Sequence, residues 1–304
     1  MADIAVTASA VEAEALPLED DGRSRQRLGP FFWLAVVVLA AIVLGCAFAP
    51  YLPFLKDPIL PDTPNRQIVF SADHWLGTDN LGRDNLARIL HGGRTSLLIA
   101  VSVVLLGFVG GGLIGLVAGY FRGWTERILM GVVDVFLAFP ALVLALALIS
   151  ILAGETGTTV SSVIVSLSVL AIAPLARITR ATTLQFSQRE FVTAARSVGA
   201  RHGRIIRKEI LPNVVPPMLS FALVVMAIVI VAEAALSFVG VGLPNDKYPT
   251  WGNMIANGRN SPNALEEHGS VALTPALVLF VTVLTLNYIG DKLRQRFDVK
   301  ESGV

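Results

Sequence analysis

The chain has 304 residues, of which 54% are hydrophobic and only 15% are charged, and its formal net charge is +1. Soluble globular domains usually carry about 25% charged residues, so the composition excludes an ordinary soluble domain. Six apolar runs approach the ~20 residues that a bilayer-spanning helix needs. None contains Lys or Arg, and they cover residues 31–50, 95–119, 132–153, 160–176, 214–238 and 271–290. The sequence therefore predicts an all-α polytopic membrane protein with six transmembrane helices.

The distribution of basic residues predicts how the chain is oriented. Six spans place both ends on one side of the membrane. That side carries 17 of the 24 Lys and Arg residues, in 1–30, 120–131, 177–213 and 291–304. The other side carries seven, in 51–94, 154–159 and 239–270. Because basic residues concentrate on the cytoplasmic side, we expect both termini in the cytoplasm.

An acidic segment at the N-terminus precedes the first span. Residues 1–22 hold six acidic and no basic residues, which is typical of a disordered tail. The "VLGCAFA" stretch before Pro50 resembles a signal-peptide cleavage region. The acidic leader and an apolar run of 20 residues instead favour an uncleaved signal anchor. Cys46, the single cysteine, lies in this span, so an intrachain disulfide is excluded.

The first external segment, 51–94, contains two acid–base pairs at i,i+4 spacing, Asp79 with Arg83 and Asp84 with Arg88. This spacing joins side chains on one turn of a helix. We expect a solvated or interfacial helix here rather than a ligand site.

Several spans carry residues that shape helices or their packing. The second has glycines every fourth residue, at Gly107, Gly111, Gly115 and Gly119. A ridge of this kind lets another helix approach closely, within this chain or across a subunit interface. Pro140 and Pro174 should kink or end the third and fourth spans.

Two acidic residues fall within the apolar runs, Asp134 at the cytoplasmic start of the third and Glu233 near the outer end of the fifth. Intramembrane acids are candidates for a transport pathway. Both are close to a boundary, so snorkelling or structural pairing is an equal alternative.

Motifs for catalysis are absent from the sequence. It has no G-x-x-x-x-G-K-[ST] nucleotide loop, and its four histidines, at 74, 91, 202 and 268, lack metal-ligand spacing. We expect a non-catalytic chain with no metal site, no cofactor of its own and no nucleic-acid partner.

The segment QREFVTAARSVGARHGRIIRKEILPN, residues 188–213, is polar and basic between two apolar runs. Ser187 and Glu190 fit a capping box that begins a helix, and Gly199 suits its end. A second helix should run from Arg201 to Ile210 and end at Pro212.

Small residues dominate one face of the first of these helices, formed by Phe191, Ala194, Ala195 and Val198. This face suits a groove on another protein. A basic cytoplasmic loop with incidental helicity is the alternative.

The same segment resembles the EAA loop of ABC importer permeases, E-A-A-x3-G-x9-I-x-L-P. Ala194, Ala195, Gly199 and the pair Leu211–Pro212 match the pattern. Thr193 replaces its Glu and Glu209 its Ile. The first difference removes the Glu of a possible salt bridge, for which Glu190 is one turn away.

Four further segments, in the correct order, are similar to the C-type permease of dipeptide, oligopeptide and nickel ABC importers. They are LGTDNLGRDNLARILHGGRTSL, ERILMGVVDVFLAFPALVLALAL, EAALSFVGVGLP with WGNMI, and TVLTLNYIGDKLRQRFD. The resemblance covers about residues 30–300.

This resemblance implies a MetI-like bundle within a larger assembly. A homologous second permease, two ATPases that bind ATP and Mg²⁺, and an extracytoplasmic binding protein would be its partners. Residues 95–290 would form the core permease domain after the first anchor helix, and 177–213 its cytoplasmic coupling loop. The residues expected to contact the ATPase are Glu190, Phe191, Thr193, Ala194, Ala195, Gly199, Leu211 and Pro212.

The substrate implied by the resemblance is a dipeptide or oligopeptide, with nickel chelates and glutathione as alternatives. A secondary transporter that works without an ATPase, and a scaffold that only holds one, are the alternatives of a different class.

Overall fold

The computed structural model describes residues 28–66, 71–260 and 270–301. Within those ranges the chain is helical, and its only β pairing is two isolated bridges. The helices are α1 (Pro30–Phe48), α2 (Asn85–Phe121), α3 (Gly123–Ala138), α4 (Ala141–Ala153), α5 (Val160–Phe186), α6 (Glu190–Ser197), α7 (His202–Ile205), α8 (Leu211–Phe238), α9 (Trp251–Asn260) and α10 (Ser270–Glu301). The acidic segment 1–22 lies outside the described residues.

Five helical segments in these ranges are long and apolar enough to cross a membrane, and α3 with α4 makes a sixth span if the bent pair is counted as one. Four of the predicted runs, 95–119, 160–176, 214–238 and 271–290, lie inside longer helices. The 37 residues of α2 extend about 55 Å at 1.5 Å per residue, well beyond a hydrocarbon core of about 30 Å. The six predicted spans are thus present as five continuous helices and one broken one.

Pro140 breaks the third span. Helix α3 ends at Ala138 and α4 begins at Ala141, with 94° between them. A proline disfavours the helical conformation of the residue before it, and Phe139 accordingly has an extended ψ of 140°. The predicted kink is confirmed.

Pro174 has a different outcome, because α5 continues through it to Phe186. Of the two predicted effects, a kink or an end, the end of the helix at Pro174 is wrong. A proline inside a membrane helix is tolerated where neighbouring groups satisfy the freed backbone. Helix α5 therefore extends ten residues past the predicted run, to the start of the polar segment.

Helices α2 and α5 pack at the centre of the fold through the glycine ridge. A Cβ added to Gly111 would lie 2.6 Å from the carbonyl oxygen of Ile172, and one on Gly119 would lie 2.8 Å from that of Arg180. Gly115 meets the Ala176 carbonyl oxygen in the same way, and Gly107 meets the Ala171 side chain. All four glycines therefore face α5 of the same chain, which brings the two backbones together.

Helix α1 lies at the edge of the bundle and packs on α10. Phe32, Ala35 and Ile289 form a small apolar cluster there. Most other residues of α1 are half-buried or exposed, as suits a lipid-facing helix.

Candidate functional site

The polar segment between the fourth and fifth spans, residues 188–213, is called the coupling segment below. Its first helix, α6, begins after Arg189, which makes no side-chain cap. Ser187 instead donates its hydroxyl to the carbonyl oxygen of Leu184, at 2.9 Å, and accepts a hydrogen bond from Arg122. The predicted capping box is wrong because α5 runs to Phe186, which leaves Ser187 to close that helix rather than open the next.

Gly199 ends α6, as predicted. The helix stops at Ser197, and Gly199 has a φ of +81°. The amide of Ala200 donates to the carbonyl of Ala195 at 3.0 Å, and that of Gly199 to the carbonyl of Arg196 at 2.9 Å. A left-handed residue bonded in this way is a common helix terminus that glycine favours.

The second helix does not end at Pro212. A short α7 passes through a π-helical turn, Ile206–Ile210, directly into α8. The amide of Leu211 donates to Ile206, five residues back. The π turn ends directly before α8. Pro212 lies in the first turn of α8, where a missing backbone amide is tolerated.

Helix α6 has one buried and one exposed face. Val192 is fully buried and packs in a cluster with Leu116 and Tyr120 of α2 and Ile205 and Ile210 beyond the turn. On the other face Ala194 is exposed, and the exposed fractions of Phe191 and Val198 are 39% and 88%. Three residues of the predicted face are thus presented outward from a base that is fixed to the bundle, whereas the fourth, Ala195, is half-buried and packs against that base.

Polar contacts brace the base of the segment. The Tyr120 hydroxyl lies 2.8 Å from Nδ1 of His202, and the Arg196 guanidinium lies 5.7 Å from the centre of the Tyr120 ring. Tyr120 comes from another span, 82 residues before His202. No local pattern in the sequence indicates this pairing, and the sequence analysis missed it.

The predicted ATPase-contact residues do not all lie together. Glu190, Phe191 and Pro212 line one groove of about 930 Å³ beside α6. Ala194, Thr193 and the half-buried Ala195 follow along the helix. Leu211, with an exposed fraction of 39%, lies instead on an apolar wall formed by α2 and α8.

Ion pairs join α3 to α5 near the end of the bundle that carries the coupling segment. Asp134 accepts a hydrogen bond from Arg177 at 2.6 Å, and Glu126 pairs with Arg180. The side chains of Asp134 and Arg177 are more than half exposed, so their pairing contributes at most about 1 kcal/mol. Pairing, one of the two alternatives for Asp134, is observed.

Glu233 is enclosed between the first part of α2, the end of α8 and the start of α9. Only 3% of it is exposed, and it accepts hydrogen bonds from Ser96 at 3.3 Å and Ser237 at 3.1 Å. Ser96 also accepts from the amide of Trp251, the first residue of α9. The carboxyl thus forms part of a network that positions α9, which supports a structural role.

Substitution of Glu233 distinguishes a structural role from a role in the transport pathway. Glu233→Ala should destabilise the fold by about 1–3 kcal/mol, because two buried hydroxyls lose their acceptor. Glu233→Gln keeps an acceptor oxygen and should retain both stability and transport. Thermal unfolding and transport of both variants check this, and loss of transport by a stable Glu233→Gln would assign the residue to the pathway.

Residues 71–88 form a buried polar cluster rather than the predicted exposed helix. Asp79 pairs with Arg83 at 2.7 Å, as predicted. The predicted Asp84–Arg88 pair is wrong: Asp84 caps α2 at the amide of Ala87 and lies 2.9 Å from His74. Asp84 is the N-cap of α2 and its carbonyl accepts from the Arg88 amide at 3.1 Å, but its carboxylate is taken up by the Ala87 amide and His74, so the two side chains do not pair.

Arg88 extends across the fold instead. Its Nη1 donates to the carbonyl of Pro58 at 3.0 Å and its Nη2 to Oδ1 of Asn245 at 2.5 Å. Asn245 lies 157 residues away, in the loop after α8. One buried guanidinium therefore ties the loop after α1 and the loop after α8 to the start of α2.

Asn245→Ala should destabilise the attachment of these two loops by about 1.5–3 kcal/mol, the usual contribution of a hydrogen bond to a charged group. Asp246→Ala, at the exposed neighbouring position, should have almost no effect. Thermal unfolding of the two purified variants compares them. Equal unfolding temperatures would show that the Arg88–Asn245 bond contributes nothing.

Comparison with known proteins identifies related chains. Residues 111–300 match the family model for the binding-protein-dependent transport system inner membrane component. A glutathione transport system permease protein of Pectobacterium atrosepticum is 39% identical over 230 residues, 76% of this chain and 74% of its own. A putative peptide transport system permease protein of Brucella suis is 36% identical over 270 residues, 88% and 87% of the two chains.

The fold also resembles solved structures. The MetNI methionine ABC transporter in an inward-facing conformation matches 69% of this chain and 96% of its own, with a TM-score of 0.58 and 21% identity. An amino acid ABC transporter solved with histidines has a TM-score of 0.53. The helical bundle is therefore a MetI-like one. Together with the sequence matches, this shows that the chain belongs to the inner-membrane components of binding-protein-dependent transport systems, and is a multi-pass permease subunit of an ABC importer.

Proposed function

We propose that this permease imports short peptides, and that it is driven by a cytoplasmic ATPase that binds the exposed face of α6. The observation that carries the proposal is the arrangement of this helix. Its exposed residues include the small side chains of Thr193, Ala194 and Ser197, whereas Val192 and the half-buried Ala195 pack in a cluster with α2 and the residues that lead into α8. A partner that moves α6 would therefore move the helices behind it.

Rigid attachment is what such coupling requires. Val192, Ile205 and Ile210 are at most 1% exposed, and closely packed interiors transmit displacement rather than absorb it. The π turn joins the coupling segment to α8 without a break. Closure of an ATPase pair on ATP would thus bias α8 and α2 between inward- and outward-facing states, by its different affinities for the two.

The proposed substrate class is the short peptide, and glutathione, itself a tripeptide, is included. It is supported by the relatives named for glutathione and for peptide transport. Nickel chelates remain the alternative from the wider family. Substrate would be delivered by an extracytoplasmic binding protein, a homologous second permease would complete the pathway, and ATP and Mg²⁺ would be bound by the ATPase chains alone.

The test is ATP hydrolysis by the complex, co-expressed with its genetic neighbours and reconstituted in lipid with the binding protein. Stimulation by a dipeptide and oligopeptide mixture or by glutathione is expected. A response to nickel chelates alone would overturn the substrate class and keep the mechanism. Failure to copurify with any ATPase would overturn the coupling.

A further inference from the structure

Phe54 and Trp75 form an exposed aromatic pair beyond the end of α1. Their rings stack, with 6.1 Å between the centroids and 19° between the planes. The exposed fractions of the two residues are 60% and 63%. The indole nitrogen of Trp75 donates to the carbonyl of Ala72 at 3.1 Å, so the polar group of the pair has a partner within the chain. What the pair offers to its surroundings is therefore mainly apolar ring surface.

Hydrogen bonds of the adjacent residues hold this pair in place. The Lys56 ammonium lies 3.1 Å from Nε2 of His74, and Nδ1 of the same ring lies 2.9 Å from the Asp84 carboxylate. His74 is buried, and Asp84 is the N-cap of α2. The two chain segments that carry the rings are therefore joined to each other and to the start of α2.

The length of the first span sets the depth of the pair in the membrane. The apolar stretch Pro30–Tyr51 has 22 residues and extends about 33 Å, which matches a hydrocarbon core of about 30 Å. Tyr51 therefore lies where the hydrocarbon meets the headgroup layer, which is about 5–7 Å thick on each side. Phe54 follows three residues later in a chain that turns, since the amide of Leu55 donates to the carbonyl of Leu52 at 3.2 Å. The aromatic pair is thus at the level of the headgroups.

Charged neighbours exclude a deeper position. Lys56, Asp57 and Asp73 are exposed and lie within three positions of one of the two rings. Charged side chains are costly in hydrocarbon, so this part of the chain cannot enter the core. Aromatic side chains concentrate where apolar and wet surroundings meet, at the interface of a bilayer. The combination of exposed rings and exposed charges suits that layer.

The lipid-facing surface of α1 leads directly to this site. Leu44 and Phe48 are exposed on its last two turns. The Phe48 ring lies 6.5 Å from that of Tyr51, which is itself exposed. Lipid that covers the end of α1 therefore also reaches the turn that carries Phe54. This continuity favours lipid over a protein partner as the occupant.

We propose that Phe54 and Trp75 insert into the phospholipid headgroup layer at the end of α1 and anchor the start of α2 to the membrane surface. The link from the rings to α2 is the chain of contacts through Lys56, His74 and Asp84. The contact needs neither an ATPase nor a transported substrate, so it goes beyond the proposed function.

Fluorescence quenching tests the depth of Trp75 in the full chain, reconstituted in phosphatidylcholine vesicles. Trp33→Phe and Trp124→Phe leave only Trp75 and the buried Trp251. The emission lost on adding Trp75→Phe is then that of Trp75. A phospholipid with a nitroxide on its headgroup should quench this emission at least about twofold more than iodide on both sides of the vesicle, because the ring lies among headgroups.

The control for this measurement adds Val198→Trp to the chain that carries Trp75→Phe. Val198 is exposed on the coupling segment, so its indole should be quenched more by iodide than by the lipid nitroxide. Stronger quenching of Trp75 by iodide than by the nitroxide would place its ring in water and contradict the proposal.

Photocrosslinking in the assembled transporter separates lipid from protein as the occupant. The photoreactive p-benzoylphenylalanine replaces Trp75 or, as the control, Val198, in cells that are grown with radioactive phosphate and co-express the neighbouring genes. After irradiation, the permease with the probe at position 75 should carry at least about fivefold more phospholipid label than the control, as an interfacial aromatic position requires. Equal label at the two positions would overturn the proposal. So would an adduct of position 75 with the binding protein or with a second permease in place of phospholipid.

Discussion

Replacement of Ala194 by tryptophan should abolish binding of the ATPase while the permease itself stays folded. Ala194 is exposed in the middle of the outward face of α6, so an indole meets no neighbour in the free chain. In a docked complex it would occupy the space of the partner surface. A loss of only about 1.4 kcal/mol weakens binding tenfold, and we expect at least about that factor in ATPase copurification and in peptide uptake.

Two variants make this result specific. Ala194→Ser keeps a small side chain and should retain binding and uptake. Ser197→Trp introduces the same bulk on an exposed position outside the small-residue face and should have a much smaller effect. Wild-type uptake by Ala194→Trp would contradict the docking of α6, and unfolding of this variant in a thermal assay would contradict its exposed position.

Hydropathy located all six spans and underestimated the length of four of them. The apolar run at 95–119 is the middle of a helix that begins at Asn85, and the run at 160–176 is the first part of one that ends at Phe186. A bilayer imposes apolar side chains only on the part of a helix within it. The polar extensions, where the coupling segment and the external cluster attach, therefore carry no such signal.

The chemistry of single residues predicted helix ends and breaks better than it predicted side-chain partners. Gly199 ends α6 and Pro140 breaks the third span, because each acts on its own backbone. Arg88 had a plausible partner four residues away and instead binds Asn245 and Pro58. Hydrogen bonds between distant segments depend on the packing of the whole bundle, which spacing in the sequence does not encode.

The coupling segment has features that the sequence predicted and features that it did not. Helical spacing predicted the face of Phe191, Ala194, Ala195 and Val198, and all of these except the half-buried Ala195 are exposed. Its attachment through Val192, Tyr120 and His202 was not, because these side chains meet only after α2, α5 and α8 pack together. The glycine spacing likewise predicted a packing face without naming α5 as the partner.

The glycine ridge should be the least tolerant part of the fold. Gly111→Leu should destabilise the bundle by about 3 kcal/mol, the upper end of the usual range for overpacking. A Cβ at this position would lie 2.6 Å from the Ile172 carbonyl oxygen and 2.9 Å from the Ala176 amide nitrogen. Backbone atoms cannot rotate away, so α2 and α5 must separate, and this removes van der Waals contact along the ridge.

Gly131→Leu is the matched control, because it makes the same change within α3 at an exposed position where an added Cβ has no atom within 4 Å. It should leave stability unchanged or raise it slightly, since glycine costs a helix about 1 kcal/mol relative to better formers. Thermal unfolding of the two variants in detergent, followed by the loss of monodisperse protein, compares them directly. If Gly111→Leu unfolds at the same temperature as Gly131→Leu, the close approach of α2 and α5 does not hold the bundle together. If only Gly111→Leu is lost, helix separation at the ridge is the cause, because both variants carry the same added leucine side chain.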